Sequence, residues 1–385
     1  MINNNHEKIY TAATVLFCLS LVFLSAAQAF GISGPVGGYH SDITEYKSII
    51  LSGEGYSLLV YIMSPFAAMG DAALSAAFAV LMSLCTISSV LLMRKYLTGC
   101  LGEKHKDLIA FLTFALFAVS MIIPTPDPRG EWYYGIGSPN PFHSPTYTLA
   151  RPFAIITFFT FFTIRDGIKE KRIDIKHLAI FSLSALLSCG AKPSFLLVFV
   201  PAAFVVCLAD IFKSKFRLFG YYLALAAALI PSGVIMYLQN VALYNNASEE
   251  GSIVFTLGKL WRGTAPYGSI LLALLFGLAF PLYAALVKAY KGTIGDRFKT
   301  AILTAFFGIA ENYFLMETGA RTKDANYFWG YQFAMFFVFT VAAADLFSDE
   351  EISKKAKTVG AVIFALHLVC GILYYGRMLL GASYM

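Results

Sequence analysis

The chain has 385 residues, of which 58% are hydrophobic and 14% charged, against roughly 25% charged in a soluble globular domain. That deficit runs the whole length and excludes a soluble protein carrying one anchor. The net charge of +6 comes from basic residues standing between apolar runs, which excludes a nucleic-acid-binding domain.

Each helix that crosses a bilayer needs about 20 mostly apolar residues, with every backbone polar group paired internally. The apolar runs here lack the period-two alternation of a barrel strand. The predicted fold class is therefore an all-α polytopic transmembrane bundle, with 1–385 as a single membrane domain. Eleven spans are expected, near 8–30, 71–93, 107–125, 146–164, 177–190, 193–212, 218–238, 268–288, 300–317, 327–347 and 358–376. The first ends in Ala27-Gln28-Ala29, which looks like a signal-peptidase site. Its apolar run exceeds the core of a signal peptide, so an uncleaved span is expected. The fifth is short and meets the sixth at Cys189-Gly190-Ala191-Lys192-Pro193, a predicted tight turn.

Lysine and arginine are retained on the cytoplasmic side. With the N-terminus inside, the inner segments hold twenty of the 29 basic residues, so the predicted topology is N-in, C-out. Inner loops are short connectors. The outer segments 31–70, 126–145, 239–267 and 318–326 carry aromatics, Pro, Gly and acids, and function is expected there.

In the first of these, Asp42 and Glu45 are three apart and share one face if the stretch is helical. Short surface helices are expected at about 42–52 and 56–68, broken at Gly53-Glu54-Gly55. An acid there can take a proton from an attacking hydroxyl; the plain alternative is a solvated loop. The second outer segment holds Trp132, Tyr133 and Tyr134, then Ser138-Pro139-Asn140-Pro141-Phe142-His143-Ser144-Pro145-Thr146-Tyr147. Its aromatics suit an interfacial belt or stacking on a sugar. His143 is a candidate acid/base or phosphate contact, and Tyr147 a pocket residue.

Arg151 stands inside an apolar run, where a cation is costly and implies a partner or a function. Lys192, Arg262, Arg321 and Lys323 lie on the same predicted side. Together these cations point to an anionic ligand such as a lipid phosphate; snorkelling to headgroups is the alternative. Glu311 lies within the ninth span and is a candidate pocket acid or a structural partner of Arg151 or Arg321. Glu317-Thr318-Gly319-Ala320-Arg321 and Asn326-Tyr327-Phe328-Trp329-Gly330-Tyr331 add Glu317 and Trp329 as pocket candidates.

No Walker A loop is present, so the chain does not itself drive an ATP-powered pump. The six cysteines form no CxxC pair, and neither a disulfide framework nor a zinc site is expected. No cofactor is implied and no divalent metal is indicated. Asn246-Ala247-Ser248 fits the glycosylation triplet, a pattern that arises often by chance.

The chain resembles the polytopic glycosyltransferases of the GT-C superfamily in the style of bacterial members. The resemblance is carried by Asp42 and Glu45 early in a long first outer loop with two short surface helices, by Ser138–Tyr147 followed by Arg151-Pro152-Phe153, by Lys192-Pro193-Ser194, and by Glu317-Thr318-Gly319 with Trp329-Gly330-Tyr331. It spans most of the chain with loose motifs, 1–240 matching the core module and 241–385 adding C-terminal spans. It implies an enzyme of the bacterial cytoplasmic membrane that works on the outer face. The enzyme would move a sugar from a polyprenyl-phosphate donor to a glycan, lipid-linked glycan or cell-envelope acceptor, amid membrane lipids. Asp42 or Glu45 would be the base, and Arg151, Lys192 and Arg321 would hold the donor phosphate. The Asp-x-x-Glu spacing departs from the adjacent acids or DxD-type pair of many relatives, which leaves the base and any metal open. Two other readings use the same cations: a flippase for a lipid-linked sugar, disfavoured by inner span halves nearly free of charge, and a polysaccharide polymerase or ligase. A non-catalytic assembly subunit would leave Asp42, Arg151 and Glu311 unexplained.

Overall fold

The computed structural model describes residues 5–53, 55–122, 137–245, 252–258, 269–319, 322 and 326–382. Helix α1 (Asn5–Ala29) leads through a loop to the short helices α2 (Ile43–Ser52) and α3 (Leu58–Ala67), which match the two predicted surface helices. Then come α4 (Asp71–Leu101), a single 3-10 turn, α5 (Lys106–Ala115), α6 (Pro145–Lys169), α7 (Ile175–Ala191), α8 (Ser194–Lys213), α9 (Phe219–Ala227) and α10 (Ile230–Asn245). Strand β1 (Ile253–Phe255), α11 (Ile270–Tyr290), α12 (Asp296–Phe314), β2 (Leu315–Glu317), α13 (Phe328–Ser348) and α14 (Lys354–Leu379) complete the chain.

Seven of these helices are long and apolar enough to cross a membrane: α1, α4, α6, α8, α11, α13 and α14. The chain is a multi-pass membrane protein. The predicted span 218–238 is a pair, α9 and α10, bent by 41° across a break at residues 228 and 229; Pro231 has no N–H to continue the hydrogen-bond ladder from α9. The predicted spans 107–125, 177–190 and 300–317 are helical but fall outside the set. Helix α5 has 10 residues and α7 has 17, while α12 carries Asp296, Arg297, Lys299, Glu311 and Asn312.

The helix windows that are most buried are those of α13, at 89%, and α6, at 78%, whereas α1 is only 17% buried. Helices α13 and α6 are also the least hydropathic of the seven. Polar side chains such as Gln332 and Thr340 on α13 and Thr157 on α6 face protein, leaving the more apolar helices to lipid.

The segment after α5 leaves helical geometry within an apolar run, and its polar groups are taken up by neighbours. Asn140 Nδ2 donates to the carbonyls of Leu116 (2.9 Å) and Val119 (3.1 Å). Ser120 N–H donates to the His367 carbonyl (3.1 Å) and Ile122 N–H to that of Phe276 (3.2 Å). In a regular helix the Phe276 carbonyl would accept from Phe280; here Phe280 N–H donates to His367 Nε2 (3.3 Å). His367 Nδ1 donates in turn to the Ser120 carbonyl (2.7 Å), which fixes the imidazole as the neutral Nδ1–H tautomer. Irregular backbone inside a bundle persists only where protein satisfies it. The approach requires Gly371, because a Cβ there would collide with the Ala118 carbonyl.

Two ends of the bundle follow from side-chain contacts. Arg165 (α6), Asp210 (α8) and Asp296 (α12) meet at one, where Arg94 of α4 also reaches Glu7 of α1. The other gathers α2, the start of α6, the α7–α8 turn, the end of α12 and the start of α13. Here β1 pairs antiparallel with β2, with Val254 opposite Met316. We refer to these as the Arg165 end and the Asp42 end.

Candidate functional site

At the Asp42 end, four stretches distant in sequence converge. Asp42 stands at the N-cap position of α2, yet its carboxyl makes no cap hydrogen bond, although Asp is among the residues best suited to that task. The side chain instead hydrogen-bonds Ser144 and feels the charge of Lys192. Its backbone N–H donates to the His143 carbonyl (3.0 Å), joining α2 to the segment before α6. Burial pushes the carboxyl up to about 6, against the opposing pull of the Lys192 ammonium and the Ser144 hydroxyl. Glu45, the alternative base, lies exposed on α2.

The prolines of the Ser138–Tyr147 motif hold an irregular path whose polar groups are bonded one by one. Gln28 Nε2 donates to the Phe142 carbonyl (3.1 Å) and Tyr147 Oη to that of Pro139 (2.9 Å). His143 is buried, its ring centroid 5.7 Å from that of Trp329. Burial, with the Lys192 charge added, holds its imidazole down at about 3, so it is neutral at physiological pH. Lys192 lies in the α7–α8 turn, as its Gly and Pro neighbours predict. Its Nζ donates to Thr146 Oγ1 (3.2 Å) and stands 4.1 Å from the Trp329 ring centroid. Trp329 also meets Tyr147, at 6.0 Å between centroids.

Beside this group opens a cleft of about 680 Å³ between α2, α8, α10, β1 and α12. Lys192, Thr146, Gln239, Glu311, Glu317 and Asn326 supply its polar lining, and Leu197, Met236, Ile253, Phe255, Phe307 and Phe314 an apolar wall. A mostly apolar concavity with a few convergent polar groups is the usual form of a small-molecule site. Glu317 Oε2 accepts from Asn326 Nδ2 (2.5 Å). Glu311 Oε2 is buried without a hydrogen-bond partner among the described residues. A Cβ at Gly330 would stand 2.5 Å from it, so the glycine is what lets α13 pass the carboxylate.

Arg151 requires a correction. Its predicted neighbours were the phosphate-holding cations, but its guanidinium does not line the cleft. It sits one turn of α6 further in, 4.8 Å from the Tyr147 ring and 5.4 Å from those of Phe117 and Phe336. Nη1 donates to Asn140 Oδ1 (3.2 Å). The suggested ion pair between Arg151 and Glu311 is also absent among the described residues. Ring faces are worth about 0.5–2 kcal/mol each, against several kcal/mol for burying an ion. Trp132, Arg262, Arg321 and Lys323 lie outside the described residues, as does Asn246.

Sequence reading did not single out Ser144, Thr146, Tyr46 or Gln239 as site residues. Ser144 and Thr146 stand in the proline-flanked motif, which was the available signal. Gln239 bonds the Gly190 carbonyl (2.9 Å) and reaches the cleft from a helix with no motif at all. Among the described residues no group of three or more His, Cys, Asp or Glu side chains is arranged to hold a metal. No family model matches the chain, and no curated protein or solved structure matches it.

Proposed function

We propose that the chain is a GT-C-like glycosyltransferase of the bacterial cytoplasmic membrane, with eleven crossings, the N-terminus inside and the Asp42 end facing outward. The observation that carries this reading is the meeting of Asp42, with a carboxyl poised at about 6, and Lys192, which lines the cleft; Asp42 does not line it itself and reaches it through Lys192. A general base works best when its pKa lies near the working pH, and a fixed cation gains most against charge that develops during reaction.

In this reading the apolar wall takes the prenyl chain of a polyprenyl-phosphate sugar, and Lys192 takes its phosphate. The acceptor hydroxyl gives its proton to Asp42 while its oxygen bonds the anomeric carbon. The bond from that carbon to the phosphate oxygen breaks, its electron pair leaving with the phosphate beside Lys192. Direct displacement inverts the anomeric centre. Asp42 is preferred to Glu45 because it is half-buried beside the cation. Arg262, Arg321 and Lys323, outside the described residues, are proposed as further donor contacts, whereas Arg151 is assigned none. The ionic groups of the Arg165 end, Arg165, Lys169, Asp210 and Asp296, are joined to one another, which favours the transferase over a flippase that would need them to receive a substrate.

The test uses membranes expressing the chain and a panel of radiolabelled polyprenyl-phosphate sugars. Asp42→Asn is expected to lower transfer by about 10²–10⁴-fold at unchanged abundance. Full activity in that variant removes Asp42 as the base, and wild-type membranes inert to every donor in the panel refute the reading itself.

A further inference from the structure

Arg151 is 8% exposed and remains protonated at any physiological pH. Its Nε has no partner among the described residues, and no carboxylate reaches the guanidinium there. What surrounds it is neutral: three aromatic rings, one of them that of Tyr147, whose hydroxyl also hydrogen-bonds the guanidinium, and the Asn140 amide. A buried charge in a medium of low dielectric is normally matched by an opposite one.

A second cavity, of about 30 Å³, lies against Arg151 between α1, α4 and the start of α6. Its polar lining beside Arg151 is Ser25, Gln28, Thr86, Ser89, His143, Ser144 and Thr148; no acid lines it, although Ser144 bonds Asp42 behind the wall. The Ser89 and Thr148 hydroxyls donate to the carbonyls of Cys85 and Ser144. Those of Ser25 and Thr86, on the neighbouring helices α1 and α4, are uncommitted among the described residues. The space holds one or two water-sized groups, far less than a sugar ring or a lipid headgroup. It thus offers one full positive charge and two spare hydroxyl donors, in a volume suited to a monatomic guest. A water would leave the charge unmatched.

We propose that this cavity is a binding site for a single small monovalent anion, of the halide class, which neutralises Arg151 and bridges α6 to α1 and α4. The site is separate from the cleft and does not depend on the function proposed above.

Bromide and chloride are the probes, with gluconate, too large for the cavity, as the control at equal ionic strength. Crystals of the full chain grown in bromide are expected to show one anomalous peak in the cavity beside Arg151. Thermal unfolding of the purified protein is expected to shift upward with halide and saturate, with no shift in gluconate. Arg151→Met should abolish the halide response. Thr86→Val, a near-isosteric change, should weaken the apparent halide affinity several-fold while keeping the fold. A cavity without anomalous density at saturating bromide, or a halide response that persists in Arg151→Met, overturns the proposal.

Discussion

At the Arg165 end, charge meets charge. Arg165 Nε and Nη2 donate to the two oxygens of Asp210 (2.6 and 3.0 Å), and Tyr222 Oη donates to Asp210 as well (2.7 Å). Asp296 accepts from both Arg165 (2.9 Å) and Lys169 (2.6 Å). Lys288 donates to Asp349 (2.6 Å) at the same end. At the Asp42 end, Lys192 bonds the Thr146 hydroxyl, stands over the Trp329 indole and offsets part of the Asp42 charge, Asp42 forgoes its helix cap, and Glu311 leaves an oxygen unbonded among the described residues. A buried ion pair closed in this way holds helices in register and has nothing left to offer a ligand. A buried carboxyl whose charge is only partly offset is destabilising for the fold, and a large cleft beside it gives that charge something to act on. Under the function proposed above, the contrast is between a structural end and a binding end.

The largest expected effect comes from opening the structural end. Arg165→Met leaves the buried Asp210 carboxylate without its two-pronged cation, and loss of one partner of such a pair costs about 3–5 kcal/mol. Unfolding followed by denaturant or heat in detergent measures it; a loss below about 1 kcal/mol would erase the distinction between the ends.

The second effect has the opposite sign. Asp42 binds its proton more tightly in the folded chain, at about 6, than in the unfolded one, near 4. Its raised pKa therefore lowers stability progressively as pH rises from about 4 to about 6, and the penalty is constant above that. Asp42→Asn removes this slope and is expected to stabilise the protein above pH 6 by at most about 3 kcal/mol. Melting curves between pH 4 and 8 for both proteins check it, and parallel curves would show that Asp42 is solvated like an ordinary surface acid.

The smallest effect sharpens what makes the Arg165 end structural. Lys104 and Glu350 form an ion pair there at 2.7 Å, but both side chains are exposed, and exposed pairs contribute little. Lys104→Ala is expected to leave the melting temperature unchanged. A clear drop would mean that ion pairing itself, and not burial, holds that end together.

Several features were legible in the sequence because they depend on local composition. A run of apolar residues long enough to cross a bilayer is a property of the run, and the seven apolar helices fall where hydropathy puts them. The two surface helices before α4 follow from the glycines at 53 and 55 and the limited length of the apolar stretch after them. The α7–α8 turn follows from Gly190 and Pro193. His143, Lys192 and Trp329 were legible as polar or aromatic residues bordering spans; Trp329 packs against His143 and Lys192, and these two border Asp42.

Other features were decided by tertiary structure alone. Hydropathy did not reveal that the segment after α5 leaves helical geometry, because the groups that satisfy it, Asn140, Phe276 and His367, come from three other parts of the chain. Nor did it reveal the pairing of Ile253–Phe255 with Leu315–Glu317, which closes one wall of the cleft. Arg151, inside an apolar run, and Lys192, in a turn between spans, both read in the sequence as holders of one phosphate. Their surroundings differ because an α-helical side chain's neighbours are fixed by which face it presents and by what packs there. Composition fixes which segments prefer lipid, while the cavities and the charges that face them arise only when distant segments are packed together.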